Sequence, residues 1–194
     1  MSSNQLPTDY QSFIHKSRYA RWQEGTGNRE SWSETVTRFM DNIVLPKTGD
    51  DTYIRDLEQA ILSLDVMPSM RSLMTAGPAA SRDNTSMYNC SYLAVNNIKA
   101  FDQAMFILLC GTGVGFSVER QYVSKMPEVP EKMFNSDTNI VVKDSKEGWA
   151  KALRQLIALL YSGEIPQWDV SKVRPAGARL KTFGGRASGP APLI

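Results

Sequence analysis

Apolar residues recur every three or four positions through residues 9–64. Beyond that the repeat breaks into short apolar runs separated by helical stretches. This change of period constrains the fold most, because helices and strands bury side chains at different spacings. Ser31-Trp32-Ser33-Glu34 has the S-x-x-E capping pattern, and Val36, Phe39, Met40 and Ile43 follow at helical spacing. Tyr10, Phe13 and Ile14 form a shorter amphipathic turn. After a loop at 46–51, Ile54, Leu57, Ile61 and Leu64 predict a further helix. Residues 1–65 are thus expected to be a helical region.

From residue 66 the chain reads as α/β. Pro, Gly, Ser, Asn and Asp mark 67–70 and 75–86 as irregular connections. A strand is expected at 90–95 and an amphipathic helix at 97–109, carrying Ala100, Phe101, Ala104, Met105 and Leu108. The glycine turn at 111–115 leads into a strand at 114–118. A Pro-containing surface loop at 126–139 precedes a short strand at 139–142. Asp144, with Glu147 three residues on, is the expected cap of a helix whose face is Trp149, Leu153, Leu156 and Leu160. Gly163 is placed to end it. A strand at 165–170 and a basic loop, Lys172-Val173-Arg174-Pro175, follow. Helices alternating with short strands predict an α/β layer for residues 66–194.

Composition narrows the function classes. A net charge of +2 gives no bulk attraction to nucleic acid or membrane. No apolar run reaches the roughly 18 residues that span a bilayer, and the start does not resemble a signal peptide. Two cysteines do not make a disulfide scaffold, so a cytosolic, reducing compartment is expected. The single histidine, His15, nearly excludes a self-contained histidine metal site or catalytic triad.

The local motifs are individually ambiguous. Gly111-Thr112-Gly113-Val114-Gly115 lets backbone approach a ligand but lacks the Lys-Ser/Thr of a phosphate loop. It also precedes a strand where a dinucleotide fingerprint needs a helix. On its own a plain tight turn is the commoner explanation. Cys90 can be a small core residue, a redox thiol or a metal ligand, of which core packing is commonest. Cys110, at the end of an apolar helix, reads as packing. Arg174, Arg186 and Ser188 could meet an oxyanion, although basic residues in such loops are usually solvated. The sequence closes on a glycine-rich segment and a half-begun apolar one, Pro190-Ala191-Pro192-Leu193-Ile194, which reads as a piece of something larger.

Taken in order, these segments resemble the catalytic chain of ribonucleotide reductases, most closely the adenosylcobalamin-dependent class II enzymes. The resemblance rests on Ser17-Arg18-Tyr19-Ala20-Arg21-Trp22 with Glu30-Ser31-Trp32, and on Met67-Pro68-Ser69-Met70-Arg71-Ser72-Leu73. It continues through Asn89-Cys90-Ser91 and Gly111-Thr112-Gly113-Val114-Gly115-Phe116-Ser117-Val118. Asp144-Ser145-Lys146-Glu147-Gly148-Trp149, Val170-Ser171-Lys172-Val173-Arg174-Pro175 and Phe183-Gly184-Gly185-Arg186-Ala187-Ser188-Gly189-Pro190 complete it.

The resemblance implies a fold: an N-terminal helical region, then an incomplete first part of a ten-stranded α/β barrel. It also implies thiyl-radical reduction of ribonucleotides to deoxyribonucleotides. Cys90 would be one member of the redox dithiol, and Ser69, Asn89 and Gly113 would hold the substrate's phosphate and ribose. Cys110 matches no catalytic cysteine. The implied cofactor is adenosylcobalamin, with a separate radical-generating subunit as the alternative. The implied partners are a ribonucleotide, the C-terminal remainder of the reductase and a thioredoxin- or glutaredoxin-like reductant. The family's radical cysteine and second redox cysteine belong to later sequence, so the chain is expected to be inactive alone. The short 118–144 segment lacks the long insertion of monomeric class II enzymes, which favours a homodimer. The location is cytoplasmic, or host cytoplasm for a viral protein. Two other readings stand beside this one: a non-catalytic nucleotide-binding or assembly module, and a degenerate fragment that does not fold stably.

Overall fold

The structure, a computed structural model, describes residues 6–49, 51–180 and 185–194. Phe183 and Gly184 of the C-terminal motif lie outside these. The described residues fall into two compact units, one running through Tyr88 and the other beginning at Asn89.

The first unit is mostly helical. Helix α1 (Asp9–Ile14) starts at Thr8, whose hydroxyl accepts from the Gln11 amide while the Gln11 side chain accepts from Thr8 N–H. A π-helical turn, His15–Tyr19, continues it. A two-residue antiparallel pair follows, β1 (Trp22–Gln23) and β2 (Asn28–Arg29). It is too short to leave a period-two pattern in the sequence. Helix α2 (Trp32–Phe39) begins at the expected capping box: Ser31 Oγ accepts from Glu34 N–H at 3.3 Å, and Glu34 Oε2 accepts from Ser31 N–H at 2.7 Å. These bonds, with one from Gln23, hold the exposed Glu34 carboxyl at a pKa of about 2.

Helix α3 (Asp51–Leu62) packs on α2. Trp32, Val36, Phe39, Met40, Ile61, Leu73 and Ala76 form the buried core, with Ile54, Leu57 and Leu64 against it. The helical spacing read in the sequence thus found the correct faces of α2 and α3. It did not for α1, where Tyr10 and Phe13 are exposed.

Helix α4 (Met70–Thr75) follows. The segment 75–86 is a correction: it is not merely irregular but holds α5 (Pro78–Arg82) and a 3-10 turn, Asn84–Met87. Pro78 opens α5, where proline's fixed φ suits a first helical turn.

The second unit repeats one motif. Strand β3 (Cys90–Ala94), helix α6 (Lys99–Leu109) and strand β4 (Gly113–Ser117) form a strand–helix–strand crossover, with β3 and β4 parallel. After a short helix α7 (Arg120–Val123), strand β5 (Phe134–Val141), helix α8 (Lys146–Tyr161) and strand β6 (Glu164–Asp169) do the same. Parallel neighbours require such crossovers. Helices α6 and α8 pack on each other. A mixed α/β architecture was expected; the described strands form two-stranded pairs.

Four local expectations are revised. Strand β5 begins at Phe134, inside the expected surface loop. The cap of α8 is Ser145, whose hydroxyl accepts from Gly148 N–H at 3.0 Å, rather than Asp144. Asp144 instead accepts from Arg174 Nε at 2.7 Å, so Arg174 is paired rather than simply solvated. The expected apolar face of α6 is only partly buried: Ala100 is inside, while Phe101, Leu108 and Leu109 are exposed.

The core of this unit is Ile140, Val142, Ala152 and Val173, with Trp149, Leu156 and Trp168 packed around it. Gly163 has φ +85° just past α8, the left-handed position that a helix end commonly gives to glycine. No described helix is long and apolar enough to cross a membrane.

Candidate functional site

The segment carrying Cys90 is built from β3 and β4. In their parallel register Cys90 pairs with Gly113 and Tyr92 with Gly115. Side chains alternate along a strand, so Cys90 and Tyr92 share one face with both glycine positions. That face is open: Cys90 is a free, exposed thiol and Tyr92 is 65% exposed.

Neither glycine is demanded by its surroundings. A Cβ on Gly113 would stand 3.4 Å from Asn89 O, and one on Gly115 3.7 Å from Ser91 O, near ordinary contact. Both also lack the positive φ that restricts a site to glycine. What the two glycines do is leave the surface beside Cys90 bare.

The backbone of Gly113 is engaged in the sheet. Its N–H donates to Asn89 O at 2.9 Å, and its carbonyl accepts from Ser91 Oγ at 3.0 Å. Gly113 can therefore receive a ligand by offering space, since its amide and its carbonyl are both engaged. Asn89, exposed beside Cys90, is anchored through its own carbonyl.

Cys110 behaves as packing, as its position implied. It is fully buried, and Lys146 Nζ donates to its sulfur at 3.0 Å while sitting 4.9 Å from the Phe106 ring centroid. The two cysteines are thus one exposed thiol and one enclosed one. Between α6 and α8, Arg154 donates to the buried Asp102 carboxylate through Nε at 3.0 Å. An open depression of about 660 Å³ lies there, lined by residues that include Asp102, Phe106, Glu147 and Arg154, away from Cys90. Arg186 donates to Gly177 O at 2.9 Å, pinning the C-terminal loop.

In the first unit, Ser69 is exposed and immediately precedes α4, where its hydroxyl makes no capping bond to the helix. Its carbonyl accepts from Leu73 N–H at 3.0 Å, so the exposed residue is fixed by its backbone.

Sequence reasoning missed the polar network behind α4. Glu30 is buried and takes both Nε and Nη2 of Arg38, at 2.8 and 2.9 Å. Thr35 Oγ1 donates to Glu30 Oε2 at 3.0 Å, and His15 Nε2 lies 2.9 Å from Thr35 Oγ1. Burial pushes the Glu30 carboxyl up, but bonds from Arg38, the Arg21 amide and Thr35 bring it below its ordinary value. Burial, then the Lys16 charge, lowers His15 to about 4, so it is neutral at pH 7. His15 also meets Trp32 edge to face at 5.6 Å. These residues lie between 15 and 38, and no local spacing rule flags them. Among the described residues no three His, Cys, Asp or Glu side chains are grouped to hold a metal.

The family model described as B12-dependent ribonucleotide reductase, insertion domain, matches residues 119–194. Adenosylcobalamin-dependent ribonucleoside-triphosphate reductase of Lactobacillus leichmannii is 30% identical over 251 residues, 93% of this chain and 34% of its own. A protein of Mycobacterium phage D29 is 30% identical over 206 residues, 86% of this chain and 29% of its own. A crystal structure of a B12-dependent (class II) ribonucleotide reductase has the same fold, with a TM-score of 0.79 over 94% of this chain and 35% of that one, at 24% identity. The chain spans about a third of the length of these relatives. The Lactobacillus match runs over more residues than the 194 of this chain, so that relative carries stretches with no counterpart here.

Proposed function

We propose that this chain, a relative of the B12-dependent ribonucleotide reductases along nearly its whole length, supplies the first part of such a reductase's catalytic chain. In this reading 1–65 is the helical region and 66–194 the first part of the ten-stranded α/β barrel. The two parallel strand–helix–strand units support that, because a barrel of this kind is built from such crossovers.

The observation that carries the chemistry is the open face holding Cys90 across from Gly113. The overall reaction turns a ribonucleotide and two thiols into a deoxyribonucleotide, a disulfide and water. The departing 2′-hydroxyl needs a proton, and the carbon needs a proton and two electrons. A dithiol supplies these as it closes to a disulfide. Cys90 is one thiol of that pair, exposed and beside bare surface. Ser69 holds phosphate through its hydroxyl. Asn89 and Gly113 meet the sugar, with Gly113 contributing the absence of a side chain.

The second thiol comes from elsewhere, because Cys110 is enclosed. The remainder of the reductase and a thioredoxin- or glutaredoxin-like reductant complete the reaction. Adenosylcobalamin supplies the radical in the enzymes named for it. The single histidine of this chain is buried against Thr35 and Trp32, so it is not placed to meet that cofactor. A separate radical-generating subunit is the alternative source. A homodimer belongs to the same reading, supported by exposed Phe101, Leu108 and Leu109 on α6.

Protection of Cys90 tests the reading. A ribonucleoside triphosphate such as CTP should slow alkylation of Cys90 in a saturable way. Labelling that CTP leaves unchanged would contradict it. One competing reading is a nucleotide-binding module without catalysis. That reading predicts the same protection but no deoxynucleotide from any reconstituted enzyme.

A further inference from the structure

Helix α4 is six residues long, too short to hold itself in water. Its N-terminal neighbour Ser69 gives it no side-chain cap. What fixes it includes the fully buried Leu73 and Thr75 and, at its far end, one guanidinium. Arg38 Nη1 donates to Leu73 O and to Ala76 O, both at 2.9 Å. These are carbonyls at the C-terminal end of α4, where a helix leaves acceptors unpaired and favours positive charge.

Arg38 is itself clamped. Nε and Nη2 hold both oxygens of Glu30, and Nη2 also reaches Tyr19 O at 3.3 Å. All five N–H groups of the fork are therefore spent. Glu30 is fixed in turn by Thr35 and by the Arg21 amide at 3.0 Å. The strut runs without interruption from His15 through Thr35, Glu30 and Arg38 to α4. Along α4, Leu73 N–H donates to Ser69 O. The carbonyl that Arg38 grips thus belongs to the residue whose amide holds Ser69, one turn away.

A buried ion pair is a poor way to add stability, since well-packed apolar side chains often do as well. A forked donor that joins a carboxylate on one side to two carbonyls on the other instead fixes a geometry, and lysine cannot reproduce it. We propose that Arg38, braced by Glu30, is a positioning residue that sets the height and orientation of α4 and so presents the Ser69 hydroxyl to the substrate phosphate. This rests on the reading of Ser69 given above. Arg38 does not touch substrate; it acts through α4.

The test uses the 194-residue chain, hydrogen exchange and titration with CTP. In R38K the amides of Leu73 to Ala76 should exchange at least about tenfold faster, while those of α2 and α3 stay protected. CTP affinity should fall about tenfold in R38K and in S69A, the size expected for one charge-assisted bond. In the S69A background R38K should have no further effect, because the two act along one path. Additive losses, an unchanged affinity in R38K beside a weakened S69A, or a general loss of protection across the unit would each overturn the positioning role. If S69A binds CTP as wild type does, the reading of Ser69 has failed, and the substrate part of the proposal falls with it. The exchange data would then still report whether Arg38 holds α4.

Discussion

Cys90 and Gly113 are register partners across the parallel β3–β4 pair, and the glycine leaves the thiol facing open surface. Ser91 ties the same two strands from the neighbouring position, through its hydroxyl to Gly113 O. The thiol therefore stands on a cross-linked, two-stranded platform rather than on a loose loop.

Thiol titration under native conditions should find one fast cysteine. A chromogenic disulfide reagent is expected to modify Cys90 rapidly and Cys110 only on unfolding, because Cys110 is fully buried. C90S should abolish the fast phase. A fast phase that survives C90S would place the reactive thiol elsewhere.

Side chains at the two bare positions should block the face without unfolding the protein. G115A and G113A find room for a Cβ, so thermal stability should change by less than about 1 kcal/mol. CTP should nevertheless protect Cys90 less well in both. Normal protection in G113A and G115A would show that the open surface is not used.

Gly148 is a different case. A Cβ there would stand 2.5 Å from Lys143 O, against backbone in the first turn of α8. G148A should cost about 1–3 kcal/mol, as overpacking does, with a lower midpoint in urea.

The single histidine gives a clean pH window. His15 has a pKa near 4 in the folded chain against an ordinary 6.5, so the unfolded chain binds more protons between those values. Stability is then full above pH 6.5 and falls as pH drops toward 4. The loss is about 2 kcal/mol by pH 5 and at most about 3 kcal/mol in all. Glu34, held at about 2, contributes stability above its ordinary 4.5 that is lost as pH falls toward 2, so it does not enter this window. Denaturation midpoints from pH 7 to 5 should slope in the wild type and flatten in H15Q. Equal slopes would remove His15 as the cause.

How much could be read in advance follows from range. The capping box at Ser31 and Glu34 was legible because both bonds close within four residues. The buried faces of α2 and α3 were legible because their apolar spacing is regular. The cap of α8 was placed one residue early, at Asp144, because Asp144 and Ser145 are both good caps. What separates them is Arg174, thirty residues away. The network from His15 to Leu73 was invisible for the same reason: Arg38 reaches carbonyls 35 and 38 residues on. At the candidate site, Cys90, Ser69, Asn89 and Gly113 were named through family resemblance. Local reading of Cys90 favoured a core residue, yet it is exposed. The open face it shares with Tyr92 needed the strand register to be seen.

The most direct measurement mixes this chain with a polypeptide carrying the rest of a B12-dependent reductase and follows deoxynucleotide formation from a ribonucleoside triphosphate. Deoxynucleotide should form with the wild-type chain, fall at least about a thousandfold with C90S, and be absent with the 194-residue chain alone. Undiminished formation with C90S, or full activity from the isolated chain, would contradict the account.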